Sequence, residues 1–307
     1  MDIIKAVKRL GIVNQLYLGG KGKRWVSGID ITSRCNLRCK HCYWWRQKHS
    51  NELSDPQMIE FMQKLAKQGI KYVNILGGEP MLKPEVCKAA AKIFDSTVVF
   101  TNGTLGFPHI HTGVWAVSID GTPKIHNTIR GKGVYEKFEQ NVGQATNPVT
   151  AHVTISKLNY NVLPQITENM NKLGLDGINF SFYGGCKGKK GDDLLVPLNQ
   201  RSKILDVVDG LRKEYGDFVL LTKRVSYYFR PEGGYYKWNS LENCPAFKEA
   251  ICFTPDGKEK FYCPYGPGSE CSTCGCANMP SLCALRDFDI ETMKIVAKTW
   301  FNPLALK

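Results

Sequence analysis

The strongest constraint on the fold is an alternation of short apolar runs with amphipathic segments that continues from Val26 to Tyr183. The runs Val26 to Thr32, Tyr72 to Leu76, Thr97 to Thr101, Val114 to Ile119, Val149 to Ser156 and Gly177 to Tyr183 read as strands. Helices fall between them. Ser54 followed by Asp55 and Pro56 is a helix start, and that helix runs to Gly69. Further helices are expected over Pro84 to Phe94, Tyr135 to Val142 and Val162 to Leu173, the last capped by Gly174; Asn199 to Tyr215 is another. Such an order implies parallel βα units, whose ligands gather at the carboxyl ends of the strands.

One of those ends carries Cys35-Asn36-Leu37-Arg38-Cys39-Lys40-His41-Cys42. Three thiolates on one short loop can hold three corners of a cubane iron–sulfur cluster and leave the fourth iron without a protein ligand. A structural zinc site is the competing reading. Zinc takes four ligands, usually from C-x2-C pairs, and His41 between two of the cysteines would make a cramped tetrahedron. The chain shows no secretory signal, so disulfides are not expected. The remaining cysteines are unevenly spread: of 12, seven crowd into 244–283 and only Cys87 and Cys186 stand apart. That crowding argues for metal or clusters in a reducing cytoplasm.

The spacing C-x3-C-x2-C, with His41 inside it and Tyr43 just after, resembles the signature of the radical S-adenosylmethionine (radical SAM) enzymes. Gly77-Gly78-Glu79-Pro80 after the second strand resembles a second motif of that family. The resemblance implies a partial (β/α)6 TIM barrel, with a [4Fe-4S] cluster on Cys35, Cys39 and Cys42. Its open iron would chelate S-adenosylmethionine, and an electron would break a carbon–sulfur bond to give a 5′-deoxyadenosyl radical. Tyr43, Gly77, Gly78 and Glu79 would help hold that cofactor, with Thr101-Asn102 after the third strand and Ser118 and Asp120 after the fourth. Arg130 resembles the arginine that pairs with the cofactor's carboxylate, a task suited to a two-pronged guanidinium. Thr154 and Asn159, after the fifth strand, are weaker candidates. For Gly77 to Pro80 and for the ends of the third and fourth strands, taken alone, ordinary turn chemistry is the plain alternative.

Toward the carboxyl end, Cys244, a Pro255-Asp256-Gly257 turn, Cys263 and then Cys271-Ser272-Thr273-Cys274 resemble the SPASM and twitch auxiliary-cluster extensions. Cys276 and Cys283 complete a C-x2-C-x-C-x6-C run that departs from the SPASM spacing. One auxiliary [4Fe-4S] cluster is therefore expected, on Cys244 and Cys263 with two of Cys271, Cys274, Cys276 and Cys283; zinc is again the alternative. Cys252 is expected to pack on the hairpin and Cys87 within a helix core. Cys186 is read either as a substrate-side residue or as a chance loop cysteine. Tyr227, Tyr228, Tyr235, Tyr236 and Trp238 either line a pocket or cover the cluster. The expected organisation is an amino-terminal helical extension over 1–24, the barrel over 25–220 and a small cysteine-rich iron–sulfur extension over 221–307.

The resemblance implies reductive cleavage of S-adenosylmethionine and attack on an unreactive carbon, with flavodoxin or ferredoxin as electron donor. The substrate classes open are a peptide or protein, a small molecule, or a lipid. The extension favours peptide modification, tempered by the absence of a leader-binding domain ahead of the barrel. A net charge of +13 and an amphipathic pattern over 1–18 fit an anionic membrane surface, although a helix packed on the enzyme body explains the pattern as well. No apolar run approaches the ~20 residues of a membrane span. Localisation is expected to be cytoplasmic, with or without peripheral membrane contact. No nucleic-acid module is recognisable, so RNA modification is the weaker fit, and a non-catalytic iron–sulfur or zinc protein is the reading from another class.

Overall fold

The computed structural model describes residues 26–42, 44, 51–185, 192–260, 263, 265–266 and 268–301. The helix expected over 1–18, Tyr43 and Cys186 lie outside them. Strands β1 (Val26–Asp30), β2 (Tyr72–Leu76), β3 (Ser96–Thr101), β4 (Val114–Ser118), β5 (Val149–Ile155) and β6 (Gly177–Phe182) pair in sequence order, all parallel. Helices connect them: α1 (Asp55–Lys67), α2 (Pro84–Ile93), α3 (Pro123–Arg130), α4 (Val134–Val142) and α5 (Leu163–Lys172), with α6 (Leu198–Tyr215) after β6. The parallel βα units expected from the alternation are present, and the sheet agrees with the partial barrel that the resemblance implies. Ser54 closes a capping box with Gln57 at the start of α1, as the Ser-Asp-Pro sequence implies.

Ile29, Ile31, Val73, Ile75, Val99, Val117 and Val153 face the helices and pack with Met58, Met62, Val86, Ala90, Phe138 and Ile166 in one continuous core. The alternate positions Val26, Gly28, Asn74, Phe100, Ala116, Thr150, His152 and Asn179 point into the barrel, where they line an interior cavity. Burial on both faces is why these strands read as near-continuous apolar runs.

Two further strands widen the sheet. After helices α7 (Lys223–Tyr228), α8 (Tyr235–Trp238) and α9 (Pro245–Glu249), β7 (Ala250–Phe253) pairs parallel to β1, and β8 (Glu259–Lys260) pairs antiparallel to β7. The expected hairpin is the β7–β8 connection, with Gly257 at φ 78° in its turn. Residues 222–280 are rich in Tyr, Gly, Pro and Cys and show little helical periodicity in sequence. They hold α7, α8 and α9, each too short to show a 3.6-residue period, and the start of α10 (Asn278–Arg286), which precedes α11 (Ile290–Val296).

The other edge, β6, is covered as well. Leu220 N donates to Ile178 O (2.8 Å) and Phe182 N to Gly275 O (2.9 Å), while Asn179 Oδ1 accepts the Phe180 N–H between them (3.0 Å). Cys252 and Cys87 are buried, on β7 and α2 respectively. Among the described residues no helix is long and apolar enough to cross a membrane.

Gly275 is the tightest point of this seam, because a Cβ there would lie 1.8 Å from Phe182 O. Gly275→Ala is expected to destabilise the fold by about 3 kcal/mol in urea unfolding. Gly143→Ala, at a position with nothing within 4 Å, serves as the control and should stay within about 0.5 kcal/mol.

Candidate active site

The cysteine loop leaves the end of β1 and is fixed on three sides by backbone and side-chain bonds. Gly78 N donates to Thr32 O (2.8 Å) and Glu79 N to Arg34 O (2.9 Å), so the turn after β2 is zipped to the loop. A Cβ on Gly77 would meet Thr32 O at 2.4 Å, and one on Gly78 would meet Arg34 O at 2.1 Å. Sequence reasoning assigned these glycines to close approach of a ligand; the close approach is to the cysteine loop itself. Asn102 Nδ2 donates to Asn36 Oδ1 (2.9 Å), tying the loop to the end of β3. Lys40 N donates to Ile129 O (2.9 Å), tying it to α3. At its base, Glu52 accepts from Thr32 Oγ1 (3.0 Å) and Ser33 N (2.6 Å), and Trp44 Nε1 donates to Ser33 O (3.1 Å).

Cys35, Cys39 and Cys42 line one cavity of about 490 Å³ at the carboxyl ends of the strands, within the range of small-molecule sites. Gly77, Gly78, Glu79, Thr101, Asn102, Ser118, Arg130 and Thr154 border the same cavity. Burial pushes the Cys35 thiol up to about 11 and raises that of Cys39, against which the Arg130 guanidinium works. These thiols become thiolates only if a nearby positive charge or a metal offsets the burial.

Glu79 is buried and accepts three hydrogen bonds, from Met81 N (3.0 Å), Thr101 Oγ1 (2.7 Å) and Asn102 N (2.8 Å). Burial nevertheless raises its carboxyl above the usual carboxylate range. Asp120 differs. It is absent from the cavity lining and fully buried, with Oδ2 accepting from Arg130 Nε (2.6 Å) and Oδ1 from Thr154 N (3.2 Å). Its Oδ2 also lies 3.4 Å from His41 Nε2. Burial works to raise this carboxyl, but Arg130 and His41 outweigh it and hold it below the usual range. Asp120 therefore orients Arg130 from behind, while the guanidinium Nη1 lies 4.0 Å from Cys39 Sγ. Asn159 stands one step further back and donates to Asp120 O (2.9 Å).

The carboxyl-terminal thiols form a second group. Cys244, Cys263, Cys271, Cys274 and Cys276 line the interior cavity of about 200 Å³, and Cys263, Cys271 and Cys274 also border the larger one. Cys274 is half-buried, and desolvation pushes its thiol up to about 12, with the thiols of Cys263, Cys244 and Cys271 acting in the same direction. Cys276 lies half-buried beside them, within hydrogen-bonding reach of the Tyr265 hydroxyl. Cys283 lies on α10, packed in the apolar core and outside both cavity linings. Among the described residues no three His, Cys, Asp or Glu side chains converge on a single-ion position. Of the aromatic candidates, Tyr235 bonds to the carbonyl of Cys274 and Trp238 lines the interior cavity. Tyr227 and Tyr228 flank Arg224 on the surface.

A profile of the radical SAM superfamily matches residues 29–170, the span from β1 to the end of α5. Over these residues, somewhat under half of its length, the chain is similar to the radical SAM superfamily. That family binds a [4Fe-4S] cluster and S-adenosylmethionine. The sporulation killing factor maturation protein SkfB of Bacillus subtilis is 30% identical over 161 residues, 48% of this chain and 39% of that protein. Fe-coproporphyrin III synthase of Methanosarcina barkeri is 27% identical over 206 residues, 61% of this chain and 51% of that protein. This chain thus spans about half the length of the curated relatives it matches. Streptococcus suis SuiB bound to its precursor peptide SuiA shares the fold, with a TM-score of 0.63 at 13% identity over 97% of this chain and 74% of that one.

Sequence reasoning placed Cys186 at the active site but assigned no role to another part of the cavity wall. Phe182, Tyr183, Gly184 and Gly185 border the large cavity, and so do Ser269, Glu270 and Gly275 from the tail. A strand end followed by two glycines was the available signal for the first four.

His152 on β5, which lines the interior cavity, is half-buried and packs edge-to-face with Phe100, with Asn179 Nδ2 3.4 Å from its Nε2. Burial lowers it to about 4, and burial lowers His126 to about 3. A histidine held neutral in this way takes up its proton in the unfolded chain first. Its contribution is complete above about pH 6.5 and is lost as pH falls toward 4, on the order of 3 kcal/mol for His152. Urea unfolding at about pH 7 and about pH 5 should show this loss, and His152→Gln should reduce the difference between the two; an unreduced difference would count against the assignment.

Proposed function

We propose that this protein reductively cleaves S-adenosylmethionine and uses the resulting 5′-deoxyadenosyl radical on an unactivated carbon of a peptide substrate. The observation that carries the reading is one cavity bordered together by Cys35, Cys39, Cys42, Glu79 and Arg130. A [4Fe-4S] cluster on the three thiols would supply the electron that breaks the carbon–sulfur bond. The side chains around it do the binding. Glu79 is a buried carboxylate whose ionised form is disfavoured, so an incoming α-ammonium group relieves that cost. Arg130, held from behind by Asp120, offers the opposite charge to the α-carboxylate. Thr101, Asn102, Ser118, Thr154 and Tyr43 are assigned to the rest of the cofactor. Gly184 and Gly185 with Ser269 and Glu270 border the same cavity, and a substrate would lie against them. Enclosure by the barrel keeps water and stray hydrogen donors from the radical.

Peptide is chosen because SkfB is named as a maturation protein and SuiB is seen with a precursor peptide. The tail thiols are assigned to one auxiliary [4Fe-4S] cluster on Cys244, Cys263, Cys271 and Cys274, with Cys276 beside them at Tyr265 and Cys283 left in the core. The tail from about residue 221 is read as a twitch-like extension of the barrel. Flavodoxin or ferredoxin is the proposed electron donor, and the cytoplasm the proposed location.

Anaerobically reconstituted protein with dithionite is expected to produce 5′-deoxyadenosine, quantified by chromatography, and Cys39→Ala to fall to background. Undiminished product from Cys39→Ala would refute the proposal. Arg130→Lys keeps the charge but loses the fork, so affinity for S-adenosylmethionine is expected to weaken about tenfold in equilibrium binding.

A further inference from the structure

Arg201 occupies the middle of α6 on its buried face and is 2% exposed. Its guanidinium reaches the cysteine-rich tail. Nη1 donates to Cys274 O (2.7 Å) and Tyr235 Oη (3.2 Å), and Nη2 to Thr273 O (2.8 Å) and Tyr183 O (3.5 Å). The Phe182 ring stacks on it, with Cζ 4.7 Å from the ring centroid, and Tyr235 flanks it at 5.7 Å. Tyr235 also donates to Cys274 O, so one carbonyl is gripped twice.

What sets Arg201 apart is its charge balance. Buried Arg130 pairs with Asp120, Arg212 with Asp217 and Glu291, and Arg230 with Asp206 and Asp209. Among the described residues no carboxylate lies within ion-pairing distance of Arg201, and its Nε has no hydrogen-bond partner. Carbonyl and hydroxyl dipoles only partly offset the cost of burying a guanidinium. The acidic groups that face it are the Cys274 thiol and the Tyr235 and Tyr236 phenols. A cluster ligated by four thiolates is net negative in either oxidation state and would complete the balance.

We propose that Arg201 is the positioning residue and counter-charge of the auxiliary cluster. Its two Nη atoms fix the Thr273 and Cys274 carbonyls and thereby the backbone from which Cys274 presents its sulfur. Its positive charge favours the more negative form, so one-electron reduction of the cluster is easier than it would be beside a neutral side chain. The proposal rests on the assignment of the tail thiols to an iron–sulfur cluster.

The test uses the full chain with Cys35, Cys39 and Cys42 replaced by alanine and reconstituted anaerobically, so that a remaining cluster belongs to the tail. Iron and sulfide analysis with electron paramagnetic resonance establishes that cluster, and a dithionite titration with redox mediators measures its potential. Arg201→Gln in this background is expected to disfavour reduction at least tenfold, about 59 mV for one electron. Arg201→Lys should stay within about threefold of the parent, because it keeps the charge while losing the two-carbonyl grip. An unchanged potential in Arg201→Gln at full iron content overturns the proposal. If Arg201→Gln cannot hold the cluster, Arg201→Lys decides: a potential near the parent supports the charge role, and a tenfold shift overturns it. Absence of any cluster from the alanine parent overturns the auxiliary-cluster assignment, and the proposal with it.

Discussion

The site is organised by two backbone strings lying closer together than any side chain would permit. Gly77 and Gly78 lie against Thr32 and Arg34 with no room for a Cβ, and hydrogen bonds from Gly78 N and Glu79 N close the gap. That contact fixes the cysteine loop relative to the end of β2 and aims the Glu79 carboxylate into the same space as the three thiols. Asn36, Lys40 and Ser33 then tie the loop to β3, α3 and Glu52. A loop pinned at so many points loses little further freedom on taking up a ligand, which is the physical meaning of preorganisation.

Charge is distributed by the same economy of position. Asp120 is buried so completely that its task is to hold Arg130, not to meet a ligand, and Thr154 contributes its backbone N–H to the same carboxylate. Glu79 has no such full cationic partner, and burial raises its carboxyl. The two acids therefore end with opposite shifts although both lie deep in the barrel, because only one has a guanidinium in contact.

Most of the barrel was legible because strand and helix periods differ so sharply. Each of the six strands was placed to within a residue or two, and the Ser54 start is a local capping signal that tertiary packing had no reason to override. Helix α3 passed unremarked, being eight residues long beneath a Thr-Pro start. The tail was hardest, since helices of four to six residues carry no period and their order comes from docking. At the site, residue types were readable and their geometry was not. Asp120 stood in sequence among candidate cofactor contacts, but its place behind Arg130 arises from the Arg130 guanidinium on α3 and the Thr154 backbone N–H on β5, which reach it only in space. Arg201 left a trace: it stands at helical spacing with Ile204, Leu205 and Val208, all on the buried face of α6.

The pairing of β7 with β1 joins segments separated by nearly the whole barrel in sequence. On a ribosome, β1 emerges among the first described residues and gains β2 as a neighbour soon afterwards, while its other edge waits for Ala250–Phe253. β6 similarly waits for Gly275. Throughout most of vectorial synthesis the nascent sheet therefore presents two unpaired borders, the condition under which strands associate with the wrong chain. Late pairing of both borders makes the yield of correctly formed protein depend on how long those edges stay open during synthesis.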